Sequence, residues 1–304
     1  MSTWDAIRAA VDAAEAADNA EFDAWQQTVA GLKQQVTDAN TTIADLRAQL
    51  AALQPTIKWG SSVMPHPGET YPQALARVDK ALAPEIIRFF IPGTNGPSWP
   101  TQTGTRPLVI SFKLPPADVI AGKVDAQLKA FFAATTQLTY WSYWHEPEND
   151  NLDPAQYRQA WAHIAAIART SGKPLRGVLI LMEFTLRAKN RNWQDWHEAD
   201  AVDVLGFDCY WRPGRTAADV YARPRSVAVA AGKPWAVCET SASSTETTPA
   251  QRQQVLHDMA HDLATVKPLP EFVCFFDSDP GPGFHWQVSD DPASAAAWKA
   301  GRAA

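Results

Sequence analysis

The sequence predicts an α/β fold: a closed (β/α)8 barrel, or TIM barrel, that follows a long N-terminal coiled-coil helix. All 23 prolines of the 304-residue chain lie after residue 54, whereas residues 1–54 hold fifteen alanines and one glycine, which favours one long helix. From residue 55 onward, eight apolar runs alternate with amphipathic stretches, which is the order of a (β/α)8 barrel, and about 250 residues is its usual size. We therefore expect two domains, residues 1–54 and 55–304.

The N-terminal segment carries a heptad pattern of apolar residues between residues 22 and 53. The spacing alternates between three and four along Phe22, Trp25, Val29, Leu32, Val36, Ala39, Ile43, Leu46, Leu50 and Leu53. One helix alone cannot bury such a seam, so we expect a coiled coil that joins copies of the chain through residues 22–53. β-Branched residues at a with leucine at d favour a parallel dimer. A trimer, and a helix folded back on its own barrel, are the alternatives.

The strands and helices of the barrel are expected to alternate. The predicted strands are 57–61, 86–91, 108–113, 138–144, 175–182, 202–210, 235–239 and 272–277. The predicted helices are 72–83, 117–133, 154–171, 193–199, 217–231, 249–266 and 292–300. The alternative is a doubly wound open sheet, which the sequence disfavours because no glycine-rich phosphate-binding loop follows the first strand.

Composition and charge exclude several classes of protein. The formal net charge is −6 and the chain has no run rich in lysine and arginine, so we expect no nucleic-acid partner. No apolar stretch approaches the ~18 residues that cross a membrane, and the first eighteen residues carry five charges, so we expect neither membrane association nor a signal peptide. Cys209, Cys238 and Cys274 lie in apolar strands, which predicts buried thiols rather than a disulfide framework.

A metal or a cofactor is not expected. His66, His145 and His285 are candidates to converge at the barrel mouth, but none of them has a second histidine at metal-ligand spacing. His257 and His261 are four residues apart, on a helix that is expected to face solvent.

Two glutamates end the fourth and seventh predicted strands. Glu146 follows the fourth strand, and Glu239 ends the seventh. Because chemistry in these barrels takes place at the C-terminal ends of the strands, both carboxyl groups are expected at one mouth. Retaining glycoside hydrolysis requires a carboxylate nucleophile and a carboxylic acid about 5–5.5 Å apart.

These residues resemble the clan of retaining (β/α)8 glycoside hydrolases, which includes β-mannanases and cellulases. Members carry an acid/base glutamate after strand four and a nucleophile glutamate on strand seven, which implies those roles for Glu146 and Glu239. The usual strand-four motif is Asn-Glu-Pro; the sequence His145-Glu146-Pro147 is similar to the β-mannanase branch. The resemblance covers roughly residues 56–300. It also implies that Arg88 lies beside the nucleophile, that the Tyr210 hydroxyl contacts it, and that Trp286 is an aromatic platform.

Each candidate has an expected role. Glu239 is expected to be ionised, held so by Arg88 and Tyr210, and Glu146 to begin protonated, with Trp144 as its apolar wall. His145 is expected to orient Glu146 or to bind a sugar hydroxyl. Stacking on sugar rings is expected of Trp99, Trp211 and Trp286.

Other carboxylates also lie near strand ends. They are Glu148, Glu183, Asp208, Asp277 and Asp279. Glu183 and Asp277 are candidates to line the cleft. Asp208 is expected to make structural hydrogen bonds, although the sequence leaves open which way its side chain points.

The sequence therefore predicts a retaining glycosidase that cleaves a polysaccharide, with bacterial cell-wall or surface glycans as candidate substrates. A coiled-coil stalk before a glycan-cleaving domain resembles bacteriophage tail-associated proteins, so we expect release in a virion or by lysis. The alternatives are a non-catalytic glycan-binding tail or adhesin barrel and a cytoplasmic oligosaccharide hydrolase.

Overall fold

The computed structural model describes residues 2–52, 56–100, 103–279 and 283–303, and the side chains of all of these except 44–52. The chain divides into two units, Met1–Pro55 and Thr56–Ala304. The first unit is one helix, α1 (Thr3–Ala52), of 50 residues, about 75 Å long at ~1.5 Å per residue. Among the described helices, none combines the length and the apolar character that crossing a membrane requires.

The predicted seam lies on the surface of α1. Its exposed large side chains are Phe22, Trp25, Leu32, Val36 and Ile43. Trp25 is 60% exposed, and its ring stacks on Phe22 with centroids 6.1 Å apart. The predicted positions Leu46, Leu50 and Leu53 lie outside the described side chains.

The second unit is a closed barrel of eight parallel strands, which confirms the predicted fold. The strands are β1 (Lys58–Ser62), β2 (Ile86–Phe90), β3 (Leu108–Phe112), β4 (Thr139–Tyr143), β5 (Leu175–Met182), β6 (Val204–Tyr210), β7 (Trp235–Ser241) and β8 (Phe272–Phe275). They pair in chain order, and β8 pairs with β1 to close the barrel.

Helices follow most of the strands, with two differences from the sequence prediction. They are α2 (Tyr71–Leu82), α3 (Pro116–Ile120), α4 (Asp125–Ala133), α5 (Pro154–Thr170), α6 (Ala217–Ala231), α7 (Pro249–Thr265) and α8 (Pro292–Arg302). The predicted helix 117–133 is two helices, because Gly122 takes a left-handed conformation with φ 70° between them. The predicted helix 193–199 is only a short 3-10 turn, Trp193–Asp195.

Alternation along the strands decides which side chains enter the barrel. The inner core contains one set of buried residues, among them Ile86, Val109, Val178, Ile180 and Val204. Arg88 and Asp208 keep the parity of Ile86 and Val204 and lie further toward the C-terminal ends of β2 and β6, so their side chains enter the interior below the mouth. Both are 1% exposed. The barrel interior thus ends in a buried polar layer just below the C-terminal mouth.

Cys209, Cys238 and Cys274 are free and fully buried, as the sequence predicts.

Candidate active site

Glu239 lies on β7 at the mouth of the barrel, beside Asp208. The pairing of β6 with β7 runs from Phe207 opposite Val237 directly to Asp208 opposite Glu239, so Cys238 is an extra residue. Such a bulge re-aims the side chains that follow it. Glu239 is 6% exposed, and both of its carboxyl oxygens have a donor. The predicted strand end at Glu239 is in fact mid-strand, since β7 continues to Ser241.

Two donors hold the Glu239 carboxyl. Arg88 Nη2 donates to Oε1 at 3.2 Å, and the Tyr210 hydroxyl donates to Oε2 at 2.6 Å. Arg88 is itself fixed, because its Nη1 donates to Ser111 Oγ at 2.6 Å and its guanidinium lies 4.1 Å from the centre of the Phe90 ring. The structure therefore brings Glu239, Arg88 and Tyr210 together in the arrangement that the resemblance implies.

Glu146 lies on a strained turn after β4. Its φ is 52° and that of Trp144 is also 52°, a left-handed conformation that costs a non-glycine residue about 1–3 kcal/mol. Hydrogen bonds to the neighbouring strands hold the turn. The Trp144 amide donates to the Phe112 carbonyl at 2.8 Å, and the Glu146 amide donates to the Ile180 carbonyl at 2.9 Å. Strain retained in this way concentrates at functional sites.

The ionisation of the two glutamates is coupled. Burial, opposed by Arg88 and Tyr210 and reinforced by the charge of Glu146, raises the pKa of Glu239 to about 7. Burial also raises the pKa of Glu146, and the charge of Glu148 adds to this. The predicted partners of Glu239 are therefore in place, but burial outweighs them.

An array of aromatic rings surrounds the Glu239 carboxyl. Trp286 stacks on Tyr210 with centroids 4.6 Å apart, and the Phe276 ring meets both of them edge-on. On the other side the His145 ring lies edge-on to the Phe90 ring, with centroids 5.6 Å apart. Burial lowers the pKa of His145 to about 3, so the ring is neutral, and its buried Nδ1 has no partner among the described residues. The predicted residues Tyr210, Trp286 and His145 thus belong to one mouth.

The other predicted tryptophans lie further out. Trp144 Nε1 donates to Asp150 at 2.6 Å, and Lys113 lies 5.3 Å from the centre of the Trp144 ring. Trp99 packs on Phe131 of α4 with centroids 5.6 Å apart. Trp211 lines a cavity between α6 and α7, where its Nε1 donates to the Arg215 carbonyl at 2.6 Å. The stacking role of Trp99 and Trp211 stays a prediction, and so does the role of Trp144 as the apolar wall of Glu146.

Two carboxylates proposed for the cleft have structural partners instead. Glu183 accepts hydrogen bonds from Arg187 and Arg215, each at 2.9 Å. Asp277 accepts from the amides of Val288 and Ser289 at 2.7 and 2.9 Å, and so fixes the segment after Trp286.

Two residues to which the sequence analysis gave no role, Asn149 and Glu148, position Glu146. Asn149 Nδ2 donates to Glu146 Oε2 at 3.2 Å. Glu148 accepts from the Met182 amide at 2.7 Å and from Thr185 Oγ1 at 2.9 Å, which ties the turn after β4 to the end of β5. The only signal was their position in the Glu146-Pro147-Glu148-Asn149 run, which is short enough to place them on the same turn.

Asp208 differs from its expected role. The Glu146 carboxyl lies within hydrogen-bond reach of the Asp208 carboxyl. No N–H or O–H group of the described residues donates to either oxygen of Asp208. The predicted structural hydrogen bonds are therefore not observed for this side chain.

Within the described part of the chain, no group of three or more His, Cys, Asp or Glu side chains has the geometry to hold a metal ion. The arrangement that is present is one buried carboxyl with two donors, a second carboxyl on a rigid turn, and stacked aromatic rings beside them.

Comparison with solved structures identifies the same architecture in carbohydrate-active enzymes. An endo-β-1,3-glucanase of subgroup I of family GH128 from Amycolatopsis mediterranei, in complex with laminaritriose, is 15% identical over 81% of this chain and 100% of its own, with a TM-score of 0.54. An endo-β-1,4-glucanase from Xanthomonas axonopodis pv. citri is 12% identical over 82% of this chain and 100% of its own, with a TM-score of 0.59. The catalytic domain of a GH26 endo-β-1,4-mannanase from Bacillus sp. JAMB-750 is 11% identical over 81% and 86%, with a TM-score of 0.55.

No model of a protein family matches this sequence, and no curated protein matches it. At identities this low, the likeness to solved structures establishes a common fold.

Proposed function

We propose that the barrel is a retaining glycoside hydrolase that cleaves a polysaccharide by double displacement, with Glu239 as nucleophile and Glu146 as acid/base. The observation that carries this proposal is the buried Glu239 carboxyl with Arg88 on one oxygen and Tyr210 on the other. A lone buried carboxylate is costly, and a structural role would not need its placement at the C-terminal mouth of the barrel.

In the first step Glu239 attacks the anomeric carbon and forms a carbon–oxygen bond to it. The glycosidic carbon–oxygen bond breaks at the same time, and Glu146 gives its proton to the departing oxygen. The burial that raises the pKa of Glu146 favours this protonated form over the carboxylate. Arg88 and Tyr210 fix the attacking carboxylate, so that little reorganisation is needed when charge develops.

In the second step water attacks the same carbon, and Glu146, now a carboxylate, removes a proton from the water. The bond from the anomeric carbon to Glu239 breaks, and the product leaves with the configuration of the substrate. Charge favours this exchange of roles. While Glu239 is esterified it carries no charge, and Arg88, which also interacts with Glu146, is then free to favour the ionised form of Glu146.

The aromatic residues at the mouth and the comparisons support a substrate class. The Tyr210–Trp286 stack offers the type of aromatic surface that packs on the apolar face of a sugar ring. The structurally similar enzymes are named as β-1,3-glucanases, β-1,4-glucanases and β-mannanases. We therefore propose a polysaccharide of β-linked hexoses as substrate, with bacterial cell-wall glycan as the other candidate.

Digestion of a glycan panel tests the proposal. The panel contains β-1,3-glucan, β-1,4-glucan, β-mannan and peptidoglycan, with product analysis after incubation. We expect wild type to cleave at least one of them, and Glu239→Gln and Glu146→Gln to lose turnover while they retain binding. Glu271→Gln is a matched control, because Glu271 is likewise held by an arginine, Arg176, and a tyrosine, Tyr140, but is only partly buried and lies at the opposite end of the barrel.

Two results would contradict the proposal. Turnover that Glu239→Gln leaves unchanged would remove Glu239 from the mechanism. Binding without turnover by wild type would favour a glycan-binding adhesin.

We also propose that α1 associates with copies of itself. Its described surface exposes Phe22, Trp25, Leu32, Val36 and Ile43 in the heptad register, at 46–60% exposure. A contiguous apolar stripe of this kind on a helix marks an interaction face.

A further inference from the structure

Asp208 is a third carboxyl group in the candidate site, and its surroundings are unusual for an ionised carboxylate. It is 1% exposed on β6 and enters the barrel interior directly below Glu146 and Glu239. A carboxylate at this depth normally accepts two or more hydrogen bonds. Among the described residues no N–H or O–H group donates to either oxygen of Asp208, whereas the Glu146 carboxyl is within hydrogen-bond reach.

The charges around Asp208 are also unusual for an ionised carboxylate. Arg88 is the cation that interacts with all three carboxyls, Glu146, Asp208 and Glu239, in the described site. His145 adds no positive charge, because it is neutral. The remaining titratable groups that interact with Asp208 are uncharged near neutral pH, since burial raises the pKa of each: Tyr210, Cys209, Cys238 and Cys274. One positive charge can neutralise one carboxylate, and in a buried layer the others are cheaper as neutral acids.

Arg88 forms an ion pair with Glu239 directly, so its positive charge is balanced mainly by the Glu239 carboxylate. The carboxyl groups of Glu146 and Asp208 are then in contact without a cation of their own. Two carboxyl groups in contact need at least one proton between them.

We propose that Asp208 remains a protonated carboxylic acid through the catalytic cycle and donates its O–H to Glu146. In this arrangement Asp208 is a positioning residue: it orients the Glu146 carboxyl and stabilises its ionised form, and its own proton is not transferred. The inference rests on the proposed role of Glu146 as acid/base.

The strength of the hydrogen bond from Asp208 to Glu146 changes during the reaction. While Glu146 is protonated, the Asp208 O–H donates to the unprotonated oxygen of Glu146, and both groups are neutral. Once Glu146 has given its proton to the leaving oxygen, the same hydrogen bond acts on a carboxylate and becomes stronger. Asp208 therefore favours the first chemical step. Burial raises the pKa of Asp208 well above its ordinary range, and the charges of Glu239 and Glu146 add to this, in agreement with the geometry.

Two substitutions distinguish a neutral donor from a negative charge. Asp208→Asn keeps an N–H donor without a charge, and Asp208→Ala removes the donor. We expect D208N to retain most of kcat and D208A to lose kcat by about 10- to 100-fold, with a much smaller change in KM. The basic limb of the pH profile, set by Glu146, should move to higher pH in D208A, because the Glu146 carboxylate has lost a hydrogen bond.

An ionised Asp208 gives the opposite sign. Both variants would then remove a negative charge beside Glu146, and the basic limb would move to lower pH in both of them. That result, or an equal loss of kcat in D208N and D208A, would overturn the proposal.

A second measurement needs no substrate and is therefore independent of the proposed function. A carboxyl that ionises in the unfolded chain near pH 4 but stays protonated when folded makes stability fall as pH rises through the range between its two pKa values. D208N lacks this cost. The melting temperature of D208N relative to wild type should thus increase steadily from pH 4 to pH 8, while the exposed control Asp200→Asn shows a flat difference.

The two failures are distinguishable. If wild type cleaves no glycan but the D208N melting difference rises with pH, the proposed function fails and the protonated Asp208 stands. A melting difference that stays flat or falls with pH would overturn the protonated Asp208, even in an enzyme that is fully active.

Discussion

Removing the Tyr210 hydroxyl isolates one of the two donors that hold the nucleophile. In Tyr210→Phe the bond from the hydroxyl to Glu239 Oε2, 2.6 Å long, is lost. The phenyl ring keeps the stack on Trp286, whose centroid is 4.6 Å away, so the wall of the site remains. Arg88 still contacts the other oxygen of Glu239 at 3.2 Å. The variant therefore changes one hydrogen bond and little else.

The expected loss follows from the charge of the acceptor. A hydrogen bond to a charged group contributes about 1.5–3 kcal/mol. If the bond acts fully on the attacking carboxylate, kcat/KM falls about 10- to 150-fold. Tyr210 also lowers the pKa of Glu239, which burial raises to about 7. Without the hydroxyl that pKa rises further, and since Glu239 must be ionised to attack, the acidic limb of kcat/KM moves to higher pH.

The assay is the pH dependence of kcat/KM on the glycan that wild type cleaves, with Tyr221→Phe as control. Tyr221 of α6 is fully buried, and its hydroxyl is 2.8 Å from Thr240 Oγ1. Thr240 is next to Glu239 on β7, but its side chain lies on the outer face of the strand. The control should lose stability without a shift in the acidic limb. Equal rates and equal pH profiles for the two variants would refute the assigned role of Tyr210.

Three further predictions concern the enzyme as a whole. The acidic limb of wild-type kcat/KM should lie near pH 7, well above the ordinary carboxyl range, because burial raises the pKa of Glu239; a limb near pH 4 would contradict this. Arg88→Met should lower the free energy of unfolding by about 3–5 kcal/mol, measured by urea denaturation, and by more at pH 8 than at pH 5, because Glu239 without its cation can bind a proton at low pH. Leu32→Asp, on the exposed seam of α1, should reduce the oligomer to monomer in light scattering while glycan turnover per barrel is unchanged; an unchanged mass would contradict the proposed association.

Local patterns were sufficient to predict the barrel. Strands 175–182 and helix 217–231 have the predicted bounds, because proline and glycine mark the turns around them and apolar residues fill the strands. The pattern near residue 193 failed as a helix. Its apolar residues Trp193 and Trp196 pack as parts of a short 3-10 turn, and spacing alone does not separate such a turn from a helix.

The site was predictable where the residue type was informative. A buried arginine and a buried glutamate within apolar strands need each other, and Arg88 and Glu239 do meet. Asp208 was not predictable, because Val204, Leu205, Gly206 and Phe207 make both faces of β6 apolar and hide its parity. The bulge at Cys238 and the left-handed turn at Glu146 also leave no local signal, since each depends on contacts with neighbouring strands.

The stereochemistry of the first product tests the central claim most directly. Proton NMR, recorded within minutes of adding enzyme to a cleaved glycan, reports the configuration of the new reducing end before mutarotation. The proposed covalent intermediate on Glu239 predicts an anomer identical to that of the substrate linkage. An inverted anomer would mean that water attacks the sugar directly, and it would contradict the assignment of Glu239 as nucleophile.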